Sequence, residues 1–207
     1  MTHDYLDIIA HYESCLDQHG DTHRGVDWPN RRDVETRYQV MLELIPAQPG
    51  PYSLLDFGCG AAHLYEFIQA KGKDGLQYSG LDLSDKFIQL CKAKYPCVPF
   101  YHLDLLHDSE RLPSFDYIVM NGVFTEKRSL SFADMFAYFQ TMIRIAFSKA
   151  HRGLAFNVMS KHVDWERDDL FHVPFDLMAD FLYREVTRKV IFRADYGLYE
   201  YTVYLYK

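Results

Sequence analysis

The run SLLDFGCGAAHL, residues 53–64, constrains this chain more than any other stretch. A short apolar strand runs into two glycines separated by one residue and then directly into a helix-forming segment. Gly58 and Gly60 can take backbone angles that a Cβ would penalise, and they let another group approach the main chain. The first amides of the following helix then point over the turn. A dinucleotide would call for GxGxxG, whose third glycine allows close helix packing, and here that position is His63. A Walker phosphate loop is excluded, because no GK[ST] follows.

Around this turn, strand and helix patterns alternate. Tyr5, Ile8, Ile9, Tyr12 and Leu16 form the stripe of an amphipathic helix over 3–19, a loop spans 20–30, and a second helix covers 31–45. Strands follow at 53–57, 77–82, 98–102, 115–120 and 153–158, with helices at 61–71, 84–94 and 131–149. An irregular segment, 159–172, leads to a helix at 174–184. TRKVIFRAD and LYEYTVYLYK then read as a closing hairpin with a tight turn at Tyr196–Gly197. Such alternation predicts βαβ units and a parallel sheet, and continuous apolar strands such as DYIVM fit a sheet covered on both faces. The expected fold is α/β, doubly wound and mostly parallel, with residues 1–48 as a helical N-terminal cap and 49–207 as the sheet domain.

Composition narrows the function. With 207 residues, 48% of them hydrophobic, the chain can build one compact core. No run approaches the roughly 18 apolar residues of a membrane span, and the N-terminus lacks a basic stretch before an apolar one, so a cytoplasmic protein with no membrane partner is expected. Cys15, Cys59, Cys91 and Cys97 have no CxxC spacing and read as free thiols. A formal net charge of −7 without a basic run argues against nucleic acid. A small-molecule partner is the remaining expectation.

Further signals fall at successive strand ends. Asp82 closes YSGLDLS, where an acid lies beside the first turn and can accept hydrogen bonds from both ribose hydroxyls of an adenosine group. Asp104 follows the third strand, and Asn121 with Gly122 ends the fourth. All lie at the carboxyl edge, where open α/β sheets bind ligands. On these residues the chain resembles the class I, Rossmann-like S-adenosylmethionine-dependent methyltransferases over about residues 50–207. HGDTHRGVDW, GLAFNV and YEYTVYLYK resemble a bacterial subgroup of that family, some of it associated with sugar or polysaccharide modification.

The resemblance implies a seven-stranded sheet whose last strand is antiparallel. It implies S-adenosylmethionine as cofactor and S-adenosylhomocysteine as product. It also implies Asp56, Gly58, Cys59 and Gly60 around the methionine part, Asp82 on the ribose, Leu83 flanking the adenine, Asp104 and Leu105 at its amino edge, and Asn121 with Gly122 beside the sulfonium. Arg24, in the long loop, and its rival Arg37 are candidates to pair with the cofactor carboxylate.

Transfer to an oxygen or nitrogen of a small acceptor would need orientation and, for a hydroxyl, a proton acceptor. His63, His102, His162 and His172 are the histidines near strand ends or in the excursion after the fifth strand, with His162 and His172 chosen as catalytic because a substrate lid belongs there. HVD, HDS and ERDD show no metal-ligand spacing, and no metal is expected. The alternatives are an aminopropyl transferase, an NAD-dependent oxidoreductase and a non-catalytic cofactor-binding protein.

Overall fold

The computed structural model describes residues 5–47, 50–72 and 75–207. One sheet of eight strands organises them, in the order β3-β2-β1-β4-β5-β8-β7, with β6 added beside the end of β5. The strands are β1 (Tyr52–Phe57), β2 (Leu76–Asp82), β3 (Phe100–His102), β4 (Phe115–Phe124), β5 (Ala150–Ser160), β6 (His172–Val173), β7 (Val190–Arg193) and β8 (Glu200–Tyr206). Pairing is parallel from β3 through β5, and β8 runs antiparallel to both β5 and β7. This is the expected mixed sheet. The reversal at the end comes from the C-terminal hairpin inserting β8 against β5.

The helices are α1 (Leu6–His19), α2 (Arg31–Leu42), α3 (His63–Ala70), α4 (Asp85–Lys94), α5 (Leu105–Asp108), α6 (Phe132–Lys149) and α7 (Phe175–Glu185). Because successive strand residues face opposite sides, neighbours divide between two cores. Leu55, Ile118 and Phe156 pack with Phe139 and Ile143 of α6 and Phe181 of α7. Leu54, Val119 and Ala155 pack on the other face with Tyr38 and Met41 of α2, Ile68 of α3 and Ile88 of α4. α2 of the expected cap therefore shares a core with the sheet, while α1 contains no buried residue. The expected division falls between residues 48 and 49, which lie outside the described residues.

Several local features depart from the sequence reading. β4 extends to Phe124 through a register irregularity, with Gly122 at φ +77°. β5 begins at Ala150, since pairing of Ala150 with Phe115 of β4 carries the polar residues that follow it into the sheet. The acidic loop after β3 holds α5, whose cap is Asp104 accepting from the Leu106 amide at 3.0 Å. The hairpin connection is longer than the two residues expected: β7 ends at Arg193 and β8 starts at Glu200, so residues 194–199 join them.

Candidate functional site

β1, β2 and β4 each bring one part of the site to the carboxyl edge. At the end of β1, Gly58 (φ +76°) and Gly60 (φ +50°) carry the chain across the sheet edge in the left-handed region that glycine tolerates. A Cβ on Gly58 would stand 2.6 Å from Val123 Cγ2, so the turn has no room for a side chain. At the end of β2, the Asp82 carboxylate accepts from the Gly60 amide and from the Ser84 amide, both at 2.9 Å. The acid thus ties the glycine turn to the second strand, while each oxygen keeps acceptor capacity for a ligand. Burial pushes its carboxyl upward, opposed by the backbone bonds from Ser84 and Gly60.

Asp56 lies deeper. It is buried, accepts from the Tyr78 hydroxyl at 2.7 Å, and is pushed up to about 7, first by burial and then, against the Tyr78 bond, by the charge of Asp82. At the register irregularity within β4, Asn121 Oδ1 is buried and has no hydrogen-bond partner among the described residues. A buried acceptor left unpaired costs free energy, which makes it a place where a ligand donor is favoured. Gly122 lies beneath Trp28, whose Cζ2 would be 2.5 Å from a Cβ at that position.

These groups open into one cavity. Its floor includes Asp56, Gly58, Cys59, Gly60, Asp82, Leu83, Asn121 and Gly122, and its roof is Tyr5, Ile8, Ile9 and Tyr12 of the first helical segment with Val26 and Trp28 of the loop. The α1 stripe, which the sequence shows only as an amphipathic face, therefore covers the sheet edge. Polar contacts hold it there. Glu13 accepts from Ser84 at 2.5 Å, Asp17 pairs with Lys86, and Tyr5 donates to Asp104 at 2.6 Å.

Other expected site residues stand elsewhere. Asp104 and Leu105 do not line the cavity: Asp104 caps α5 and binds Tyr5, and Leu105 is in the core. Arg24 is exposed and outside the lining. Arg37 is committed to Glu200 at 2.8 Å, under the Trp28 ring with its guanidinium carbon 4.3 Å from the ring centroid. Glu200 also accepts from Asn157 at 2.9 Å, and Asn157 accepts from the Gly122 amide at 2.8 Å. Arg37 thus orders the β4 end and Trp28 from behind rather than facing a ligand.

The two histidines expected to be catalytic are likewise outside the lining. His172 is buried with Nδ1 2.6 Å from the Ser160 carbonyl and Nε2 accepting from the Arg167 amide at 3.4 Å, so both ring nitrogens are engaged. His162 is exposed and stacks on Phe175 at 5.8 Å. Of the four histidines that sequence position singles out, His63 alone lines the cavity, with Nε2 2.8 Å from Asp21 Oδ1.

Comparison with known proteins bears on the domain and the fold. Residues 55–155, from β1 through the middle of β5, match the family described as a methyltransferase domain. A putative methyltransferase of Mycobacterium tuberculosis, Rv1506c, is 25% identical over 159 residues, covering 76% of this chain and 94% of that protein. Among solved structures, magnesium protoporphyrin IX methyltransferase (ChlM) from Synechocystis PCC 6803, with bound S-adenosylmethionine, aligns over 100% of this chain and 98% of its own, at 16% identity and a TM-score of 0.67. The plantazolicin methyltransferase BpumL aligns over 100% and 99%, at 12% identity and a TM-score of 0.60. These structural likenesses concern the fold. The family match adds that residues 55–155 are similar to a methyltransferase domain. ChlM holds S-adenosylmethionine on this fold, and here the unpaired Asn121 Oδ1, the thin glycine turn and the Asp82 carboxylate suit a nucleoside with a cationic tail.

Proposed function

We propose that the chain is a class I S-adenosylmethionine-dependent methyltransferase that transfers a methyl group to an oxygen or nitrogen of a small-molecule acceptor held under the α1 roof. The observation that carries this reading is the cavity itself, where aromatic and aliphatic side chains of α1 and the following loop face the glycine turn, Asp82 and Asn121. In this reading Asp82 receives the ribose hydroxyls, Leu83 flanks the adenine, and Gly58, Cys59 and Gly60 admit the methionine part against bare backbone. Asn121 Oδ1 accepts from a donor at the cofactor or acceptor. In this reading S-adenosylmethionine is the cofactor and would supply a methyl group on a positively charged sulfur, open to in-line displacement.

The protein's task is then orientation and exclusion of water. For a hydroxyl acceptor, His63 is the cavity's own imidazole, oriented by Asp21, and is the proton acceptor in this reading. ChlM takes its name from a porphyrin and BpumL from plantazolicin, and both support an acceptor other than nucleic acid. A net charge of −7 supports the same view. Among the described residues no helix is long and apolar enough to cross a membrane. A cytoplasmic location belongs to this reading and is supported by four free cysteines.

Incubation with methyl-labelled cofactor and pools of hydroxylated and amine-bearing small molecules tests the proposal. Label should appear in a small-molecule product together with S-adenosylhomocysteine. Label found only on carbon, or only on protein or nucleic acid, would overturn the choice of acceptor.

A further inference from the structure

The fold gathers a second cluster that the sequence spacing conceals. His11 and Cys15 occupy one face of α1 at i and i+4, Asp27 comes from the loop before α2, and Glu126 lies just beyond β4. His11 Nε2 is 2.8 Å from Asp27 Oδ2, 3.7 Å from Cys15 Sγ and 3.9 Å from Glu126 Oε2. One donor atom from each of His11, Cys15 and Asp27 lies within 4.8 Å of the others. Zinc bonds of roughly 2.0–2.3 Å to N, O and S give tetrahedral edges of roughly 3.3–3.8 Å, and the separations to Cys15 and Glu126 already approach that size. The separation to Asp27 is a hydrogen bond that opens when a metal replaces the shared proton.

We propose that His11, Cys15, Asp27 and Glu126 form a site for one divalent transition metal of the zinc type, joining α1 and its loop to the end of β4. The ligand set mixes imidazole, thiol and carboxylate, the donors such ions prefer. Charge supports the same conclusion. Two carboxylates, Asp27 and Glu126, stand against the single His11 imidazole at 2.8 Å and 3.9 Å. Arg128 pairs with the same Glu126 Oε2 at 3.4 Å and also approaches Asp169 at 3.8 Å, so Glu126 is the ligand shared with a guanidinium.

A second trio, Asp21, His63 and Glu66, makes the contrast. There Lys94 Nζ sits 2.7 Å from both Asp21 and Glu66, so an ammonium already supplies the positive charge. Among the described residues the ion-pair partner of Asp27 is His11, and of the four proposed ligands it is Glu126 that has a guanidinium partner, Arg128.

The full chain, stripped of metal and freed of chelator, should bind one equivalent of Zn²⁺ by calorimetry. With Co²⁺ it should show tetrahedral d–d absorption and a sulfur-to-metal charge-transfer band. Cys15→Ser should remove the charge-transfer band, and His11→Ala should weaken binding by about tenfold or more, the loss that even outer-sphere changes produce. His63→Ala should leave both readouts unchanged, and circular dichroism should confirm that each variant folds. Absence of stoichiometric binding to the wild-type chain would overturn the site. So would a cobalt spectrum without a sulfur band, or binding lost in His63→Ala but retained in Cys15→Ser. None of these readouts depends on methyl transfer, so they stand or fall apart from the proposed activity.

Discussion

Two residues show how the site uses atoms that stability alone would not choose. Gly58 holds φ +76° directly against Val123, so Gly58→Ala adds left-handed strain and a clash at 2.6 Å. Thermal unfolding should report a loss of about 1–3 kcal/mol, and cofactor affinity should fall with it. An unchanged melting temperature would mean that the turn relaxes without effort. Asn121 carries a different cost, a buried oxygen without a partner among the described residues, which the sequence could place at a strand end but could not show to be unpaired. His172 is the opposite case. Its position in the excursion suggests catalysis, but the backbone around Ser160 and Arg167 engages both its nitrogens.

Between elements, a buried chain of hydrogen bonds links α2, β8, β5 and the β4 bulge through Arg37, Glu200, Asn157 and the Gly122 amide. Arg37→Met would leave the Glu200 carboxylate, whose side chain is 1% exposed, without its guanidinium. Removing one partner of a buried ion pair costs about 3–5 kcal/mol, so denaturant unfolding should show a loss of that size. Glu200→Gln in the same background should recover part of it. A loss under about 1 kcal/mol would show that water reaches Glu200.

This network also marks a limit of sequence reading. The strand and helix order was legible, because apolar periodicity and glycine turns are local signals. The partners of Arg37 were not, because Glu200 lies 163 positions away and meets it only when β8 inserts beside β5. For the same reason the stripe Tyr5, Ile8, Ile9 and Tyr12 showed a helix face but not the cavity it covers.

For the whole molecule, Asp56 makes stability depend on pH. Its ordinary value is 3.8 and burial raises it to about 7 in the folded chain. Between those values the folded state keeps a proton that the unfolded chain has released, so this group's contribution to stability declines as pH rises from about 4 to about 7. The full penalty is present above that window. Asp56→Asn keeps an acceptor for Tyr78 and should flatten this part of the profile in denaturant titrations at several pH values. An identical slope in the variant would assign the effect to other groups.

The central claim is that an adenosyl cofactor lies against the glycine turn, anchored by the acid at the end of β2. Calorimetric titration of the wild-type chain and of Asp82→Asn with S-adenosylhomocysteine tests it most directly, with folding checked by circular dichroism because Asp82 also holds the Gly60 and Ser84 amides. One-to-one binding by the wild type, weakened about tenfold to a hundredfold in the variant, is the expected result for loss of charge-assisted hydrogen bonds. No binding by the folded wild-type chain, or equal affinity in the folded variant, would contradict it.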